Sequence, residues 1–447
     1  MGKKLSKELT AFFAKDEVES IAKETDFVQR TSAKLNGSTF VDSLLFTGFN
    51  HKDLSLEALS TQLDHEYHVE ISKQGVDQRF NENSVAFMKS LLEQLLPKVL
   101  SEVPVISFLE DYRSVRIKDS TSFQLPENME EKYSGSGGDA SKAVIRIQFE
   151  YDYRSGKVYD LSLHAFNDQD AKDAQLTVSN IEKNDLIIRD LGYVVIKVLL
   201  FIANMEAWYL NRFNFSSTAY EKIGDVYQEI DFGKIQKYMN KNQVDSLEKE
   251  VYIGKKKSLK TRLIIERLPE KKVEVRLRKA KEQARKKGRQ LTDKYKAHIG
   301  LNVYITNIDA EKLPVKNVQI LYKLRWQIEL VFKIWKSIGE IHKVKKMKLH
   351  RFETLLFAKL IWIIINWAIM WDISQHIWQE KQMFISPIKI FKTLKTNSKE
   401  LQIALNNSAN SMLDFINEIY RLSPKHHQLE KKKNQLSSIE IIMLLAM

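Results

Sequence analysis

The chain has 447 residues, 43% of them hydrophobic and 28% charged, and 70 Lys and Arg against 57 Asp and Glu give a net charge of +13. That length supports two or three domains with a substantial core, and the charge suits a polyanionic partner. The chain has no cysteine, which excludes disulfides and thiolate metal sites and fits a reducing cytoplasm.

The N-terminal stretch MGKKLSKELTAFFAKDEVES is charged throughout and shows no secretory signal. Residues 1–105 read as helical. LSLEALSTQL (54–63) has Ser55 as an N-cap, and ISKQGVDQRF (71–80) opens at a second cap, Ser72. The two helices read equally as a helix-turn-helix with Lys73, Gln74, Gln78 and Arg79 free to meet DNA, or as an ordinary helical hairpin. The connection between them is longer than a recognition turn needs.

A strand-rich zone follows. In SVRIKDSTSFQL (114–125), Val115 and Ile117 alternate and lead to Asp119. The loop YSGSGGDAS (133–141) lacks the Gly-Lys-Ser/Thr that closes a phosphate-binding loop. AVIRIQFEYDY (143–153) and KVYDLSLHAF (157–166) alternate around a short turn and form a hairpin. Residues 168–183 read as a helix, and DLIIRDLGY (185–193) is a short buried strand running into Asp190. Taken alone, Asp119 or Asp190 reads more readily as a cap or turn residue. Asp111, Asp152 and Asp160 are competitors.

Residues 195–215 read as a helix and then a strand carrying Arg212. TRLIIERL (261–268) and KKVEVRLR (271–278) alternate on either side of Pro269-Glu270 and read as a hairpin. Between Lys271 and Gln290 lie ten Lys/Arg and two Glu, a net of +8 that leans toward phosphate contact. IGLNVYITNID (299–309) is again a strand. LYKLRWQIELVFKIWKSI (321–338) reads as one helix. At about 100° per residue, Tyr322, Arg325, Glu329 and Lys336 fall within a stripe roughly 60° wide. Leu324, Ile328, Val331, Ile334, Trp335 and Ile338 face elsewhere, as a core surface does. LIWIIINWAIMW (360–371) is shorter than the roughly 20 residues of a membrane span and contains Asn366, so it reads as a buried helix. The rest of 351–447 is mostly helical, and KHHQLEKKK (425–433) reads as solvated surface.

The spacing of Tyr322, Arg325, Glu329 and Lys336 resembles the signature of DDE transposases of bacterial insertion sequences, of the cut-and-paste type in the insertion sequence four group. DST at 119–121 and D-x-G-Y at 190–193 resemble that family's first two catalytic segments. The resemblance implies an α/β fold with an RNase H-like mixed sheet and a β-rich insertion, flanked by helical N- and C-terminal domains. The domains would be a DNA-binding domain at 1–105, a catalytic domain at 106–340 with its insertion at about 217–298, and a helical domain at 341–447. It implies Asp119, Asp190 and Glu329 as catalytic acids and metal ligands. Two Mg²⁺ ions, which Mn²⁺ can replace, would sit with Asp119 bridging both, Asp190 on one and Glu329 on the other. Tyr322, Arg325, Lys336, Trp326 and Arg212 would contact DNA. The insertion has no Trp to stack on a flipped base, so Tyr252, Tyr295 or Trp326 is the candidate substitute.

The function so implied is Mg²⁺-dependent cleavage at transposon ends and strand transfer into target DNA. The protein would act as a homodimer in its DNA complex, in the bacterial cytoplasm and without a membrane. The rival readings are an RNase H-like nuclease that cuts without joining, and an inactive DNA-binding regulator. No ATP-binding, HExxH or Gly-x-Ser-x-Gly motif points elsewhere.

Overall fold

A computed structural model describes residues 2–29, 34–50, 55–98, 109–136 and 141–430. Parts of the Gly/Ser loop, of the basic run at 425–433 and of the expected boundary at 105/106 lie outside those residues. Among the described residues six helices come first: α1 (Lys3–Phe12), α2 (Lys15–Glu24), α3 (Gly37–Asn50), α4 (Leu56–Tyr67), α5 (Lys73–Arg79) and α6 (Glu82–Leu95). Then come β1 (Ser114–Leu125), β2 (Ala143–Asp152), β3 (Val158–Ala165), α7 (Asp170–Leu176), β4 (Asp185–Arg189), α8 (Ile196–Asn204) and β5 (Trp208–Arg212). The next stretch holds β6 (Ala219–Ile223), β7 (Val226–Glu229), α9 (Phe232–Lys241), β8 (Ser246–Ile253), β9 (Leu259–Arg267), α10 (Glu270–Lys286), α11 (Asp293–Ile299) and β10 (Leu301–Thr306). The chain continues with α12 (Val315–Tyr322), α13 (Gln327–Ser337), α14 (Leu349–Lys381), α15 (Pro387–Thr396), α16 (Ser398–Asn407) and α17 (Ala409–His426).

The chain divides into two compact units. One comprises Met1–Val105, Ser120–Asn167 and Gln327–Ser437. The other comprises Ile106–Asp119, Asp168–Trp326 and Ser438–Met447. Strand β1 is divided between them after Asp119.

In the first unit the strand order is β3-β2-β1, with β2 and β3 the expected antiparallel hairpin. Asp152 accepts from Ser155 Oγ at 2.6 Å and from the Arg154 backbone N–H at 3.1 Å, so this competitor acid is a turn residue. Ser55 and Ser72 cap α4 and α5 as expected, accepting from the backbone N–H of Ala58 and Gly75. The core of this unit is α14, against which α3, α6 and α17 pack. LIWIIINWAIMW lies inside it, and Asn366 donates from Nδ2 to the Trp362 carbonyl at 2.7 Å. The helix is buried as expected, but the length argument fails. It runs 33 residues, long enough to cross a membrane, and 83% of its most apolar window is buried within the protein.

In the second unit the order is β1-β4-β5-β10-β9-β8-β6-β7. β1, β4 and β5 run parallel, and β10 pairs antiparallel with both β5 and β9. These are the strand relations of an RNase H-like sheet. Register and alternation assign the faces. Ile187, Tyr209, Val303, Ile305 and Leu263 point to one side and build the apolar core with Val198, Leu199 and Ile202 of α8. Ile117, Ile188, Leu210 and Arg212, Tyr304 and Asn302, and Glu266 share the opposite face.

The expected hairpin at 261–278 is not formed. TRLIIERL is β9, but its partners are β8 and β10, and KKVEVRLR is the start of helix α10. Pro269 precedes the first helical residue, Glu270 favours the positive end of the helix dipole, and Val273, Leu277, Ala280 and Ala284 recur at helical spacing. The short alternation VEVRLR is compatible with either structure, and the longer period decides.

On the core side of β1 and β4 lies a buried ionic group. Asp185, fully buried, accepts from Arg113 Nε and Nη2 at 2.9 Å each, from Ser114 Oγ at 2.6 Å and from Arg116 Nη1 at 3.3 Å. Lys118, also buried, meets Asp173 of α7 at 2.6 Å. Removing one member of such a group leaves the others buried and uncompensated. Asp185→Ala is therefore expected to destabilise the protein by about 3–5 kcal/mol, read as a lowered urea midpoint. A loss below about 0.5 kcal/mol, within ordinary surface scatter, would discard the account.

Candidate active site

The register that pairs Lys118 with Arg189 puts the next residues, Asp119 and Asp190, side by side where the parallel pairing stops: Asp190 follows the last residue of β4, and Asp119 lies in the middle of β1. Both continue the face of Ile117 and Ile188. Asp190 is extended, with φ −75° and ψ 171°, and precedes a short 3-10 turn, Leu191–Tyr193. Gly192 in that turn is approached closely, because a Cβ there would meet Asp170 Oδ2 at 3.0 Å.

The two carboxylates converge on one guanidinium. Arg325 Nη1 lies 2.9 Å from Asp119 Oδ2, and Arg325 Nε lies 3.8 Å from Asp190 Oδ1. The Arg325 side chain is 9% exposed, against 20% for Asp119 and 46% for Asp190. Two like charges on neighbouring strands repel, and a buried cation between them offsets that repulsion.

Arg325 owes its position to a break in the expected helix. The stretch 321–338 is not continuous: α12 ends at Tyr322, Lys323–Trp326 is a 3-10 turn, and α13 begins at Gln327. The reading of the apolar side holds, for Leu324, Ile328, Val331, Ile334, Trp335 and Ile338 are all buried. The polar stripe does not hold as drawn, since a 3-10 turn takes about 120° per residue and brings positions i and i+3 into line. Tyr322 and Arg325 are such a pair.

Tyr322 is buried, and its ring centroid is 5.3 Å from that of Tyr304. Burial, then the charge of Asp190, pushes its phenol well above the ordinary value, while Arg325 and Arg212 pull it down. Tyr304 is pushed up to about 12 by burial and then by Glu266. Arg212 stands opposite Tyr304 across the β5–β10 pairing. Asp119, Asp190, Arg325, Tyr322 and Arg212 thus occupy one neighbourhood of the second unit. Trp326, the last residue of that segment, is 51% exposed.

Glu329 and Lys336 belong to the first unit, on α13. Glu329 is exposed in the first turn, four residues after Arg325. Lys336 donates from Nζ to the Ser122 carbonyl at 3.0 Å, and burial lowers its ammonium.

Sequence reasoning missed three polar residues on the same sheet face. Arg276 of α10 donates Nη2 to Asn302 Oδ1 at 2.9 Å. Glu266 stands opposite Asn302, and burial pushes its carboxyl up to about 7, against pulls from Asn302 and Lys323. The alternation of Arg262, Ile264 and Glu266 in TRLIIERL is the one local hint.

The donor set can be tested against a divalent ion. Among the described residues no three His, Asp or Glu are grouped to hold a metal. Asp119 and Asp190, however, both reach one cation, the Arg325 guanidinium. Mg²⁺ prefers oxygen donors and commonly takes one or two carboxylates with water and phosphate, so the pair fits it.

The Transposase DDE domain profile matches residues 112–365, a span that contains Asp119, Asp190 and Glu329. The chain belongs to the DDE transposase family. Its relatives are transposases of bacterial insertion sequences, and it is an enzyme of that kind. It is 31% identical to the transposase for insertion sequence element IS231F of Bacillus thuringiensis subsp. israelensis, over 95% of this chain and 92% of that one. It is 31% identical to the transposase for insertion sequence element IS1151 of Clostridium perfringens, over 88% and 86%. A cryo-EM structure of the piggyBac transposase synaptic complex with hairpin DNA aligns with a TM-score of 0.46 at 10% identity, over 97% of this chain and 87% of that one.

Glu266 gives this DDE transposase a pH signature. A carboxyl raised on folding holds its proton more tightly in the folded chain, so stability falls as pH rises from 4.5 to about 7. Glu266→Gln removes that loss. The variant is expected to match the parent near pH 4.5 and to exceed it at pH 8 by on the order of 1 kcal/mol or more, read by urea unfolding. A parallel offset at both pH values counts against the burial of Glu266 as the cause.

Proposed function

We propose that this transposase cuts DNA at the ends of its own insertion sequence and joins those ends to target DNA, with Asp119, Asp190 and Glu329 as its acids. The observation that carries the reading is the convergence of Asp119 and Asp190 on Arg325 where the parallel pairing of β1 and β4 stops. Ligand sites gather at the carboxyl ends of parallel strands, where Asp190 stands.

Exchange of one phosphodiester for another needs an activated oxygen nucleophile and a neutralised leaving oxygen, but no ATP. Two Mg²⁺ ions, or Mn²⁺ in their place, supply both effects when bound to these acids. The rest falls to side chains. Arg325 offers a planar, two-pronged donor to a phosphate beside the acid pair. The Tyr322 hydroxyl, kept neutral, donates a hydrogen bond. Arg212 and Lys336 hold backbone phosphates, and the exposed Trp326 indole stacks on an unpaired base. The helical segment 1–105 recognises the transposon ends, 106–340 carries out catalysis with its insertion, and 341–447 completes the assembly. The working form is a homodimer on paired ends, in the bacterial cytoplasm.

Incubating the protein with paired end DNA, target DNA and Mg²⁺ is expected to yield joined products, and nicked ends without joining would indicate a nuclease. Asp119→Asn, Asp190→Asn and Glu329→Gln should each retain end binding and lower cleavage by on the order of a hundredfold or more. Parental cutting by Asp119→Asn would remove the acid pair from the chemistry. DNA flanking the gene should show short inverted repeats bounded by a direct duplication.

A further inference from the structure

Helix α10 carries a basic pair every seven residues: Lys271-Lys272, Arg278-Lys279 and Arg285-Lys286. A seven-residue repeat drifts only about 20° on an α-helix, so the three pairs stay on one side. All six residues are exposed, and Lys281 between the rows is exposed as well. The opposite side is the one that packs. Ala280 is buried, Val273, Leu277 and Ala284 are half-buried, and Arg276 ties the helix to Asn302.

The exposed side is poorly neutralised from within. Glu274 and Glu282 share it, but among the described residues Lys286 alone of the six has an ion-pair partner, Glu282 at 2.9 Å. Arg278, Lys281 and Arg285 stand three and four residues apart, where like charges oppose the helix. Such a row is stabilised by an external polyanion.

The helix also has a direction relative to the acid pair. Its first basic pair adjoins the 3-10 turn that carries Arg325, since burial and then the like charge of Lys272 lower the Lys323 ammonium. Arg276 and Asn302 keep α10 on the sheet face that ends in Asp119 and Asp190. At about 1.5 Å per residue the three pairs span roughly 20 Å, the rise of about six base pairs.

We infer that the exposed side of α10 is a phosphate-binding ridge that holds the DNA duplex flanking the cut, without reading its sequence. The inference rests on the proposed role of Asp119 and Asp190 for the position of the cut, and its test measures binding alone.

The test replaces Lys271, Lys272, Arg278 and Lys279 by Gln together, a change to exposed positions with a good helix former. A melting curve matching the parent establishes folding. Binding of end duplex and of a scrambled duplex of equal length is then measured from 50 to 200 mM salt. The slope of log K against log salt should fall by about 0.9 for each phosphate the variant no longer neutralises, hence by about 2 to 4. Affinity near 150 mM should fall at least tenfold, by the same factor for both sequences. An unchanged slope or a loss confined to the end sequence would each overturn the ridge. Should the quadruple variant melt early, the pair Arg278→Gln and Lys279→Gln is measured instead, with an expected slope change of about 1 to 2. Failure of the acid-pair reading is seen separately, as parental cleavage by Asp119→Asn.

Discussion

One guanidinium meets both aspartates of the candidate site. Asp119 and Asp190 follow the last paired residues of neighbouring parallel strands, which lie about 4.8 Å apart. The sheet cannot move them away from each other, because Val115 to Lys118 are locked in register against Leu186 to Arg189. Their repulsion has to be met by a cation, and the cation comes from 206 residues beyond Asp119. The placement of Arg325 depends on α12, and α12 is held partly by the Tyr322 ring against Tyr304. The order of dependence runs from sheet register to tyrosine packing to ion pair.

The sheet beneath the pair is unusual for parallel strands, which commonly read as continuous apolar runs. β1 reads SVRIKD and is buried on both sides through Ile117 and Lys118. Arg116 and Lys118 are tolerated because each meets a carboxylate, Asp185 or Asp173. Pairs of this sort add little net stability compared with apolar residues, but they penalise every misplacement of either partner. Here they tie α7 and the start of β4 to β1, and so fix the register on which Asp119 and Asp190 depend.

The strands ahead of these acids were legible locally, since Val115 and Ile117 alternate before one and Leu186 to Ile188 run unbroken into the other, but the acids themselves stood out only through the order of DST, D-x-G-Y and the Glu329 segment. The six apolar positions of 321–338 were equally legible, since their spacing survives the break in the helix. Other features depend on longer-range choices. VEVRLR at 273–278 alternates like a strand, and only the residues up to Ala284 reveal the helical period. LIWIIINWAIMW shows apolarity without showing that its helix extends from Leu349 to Lys381. Glu266 is a lone acid in a strand, and nothing local says that burial would raise its carboxyl.

The break at Lys323–Trp326 changes what the signature residues can be to one another. A helical wheel presumes one constant rotation per residue. Four residues at about 120° instead of 100° shift everything after them by roughly 80°. Tyr322 and Arg325 come into line because of the tighter turn, and both feel Asp190. Glu329 and Lys336 cannot extend that line by helical geometry. They are placed by their own unit, through α13 and the bond from Lys336 to Ser122. The chain passes from one unit to the other after Asp119 and again after Trp326. Both passages fall within three residues of a proposed catalytic acid. A motif that looks like one stripe is physically divided: an arginine bound to the aspartate pair with a tyrosine in its field, and a lysine bound to the continuation of β1 on the helix that also carries the glutamate.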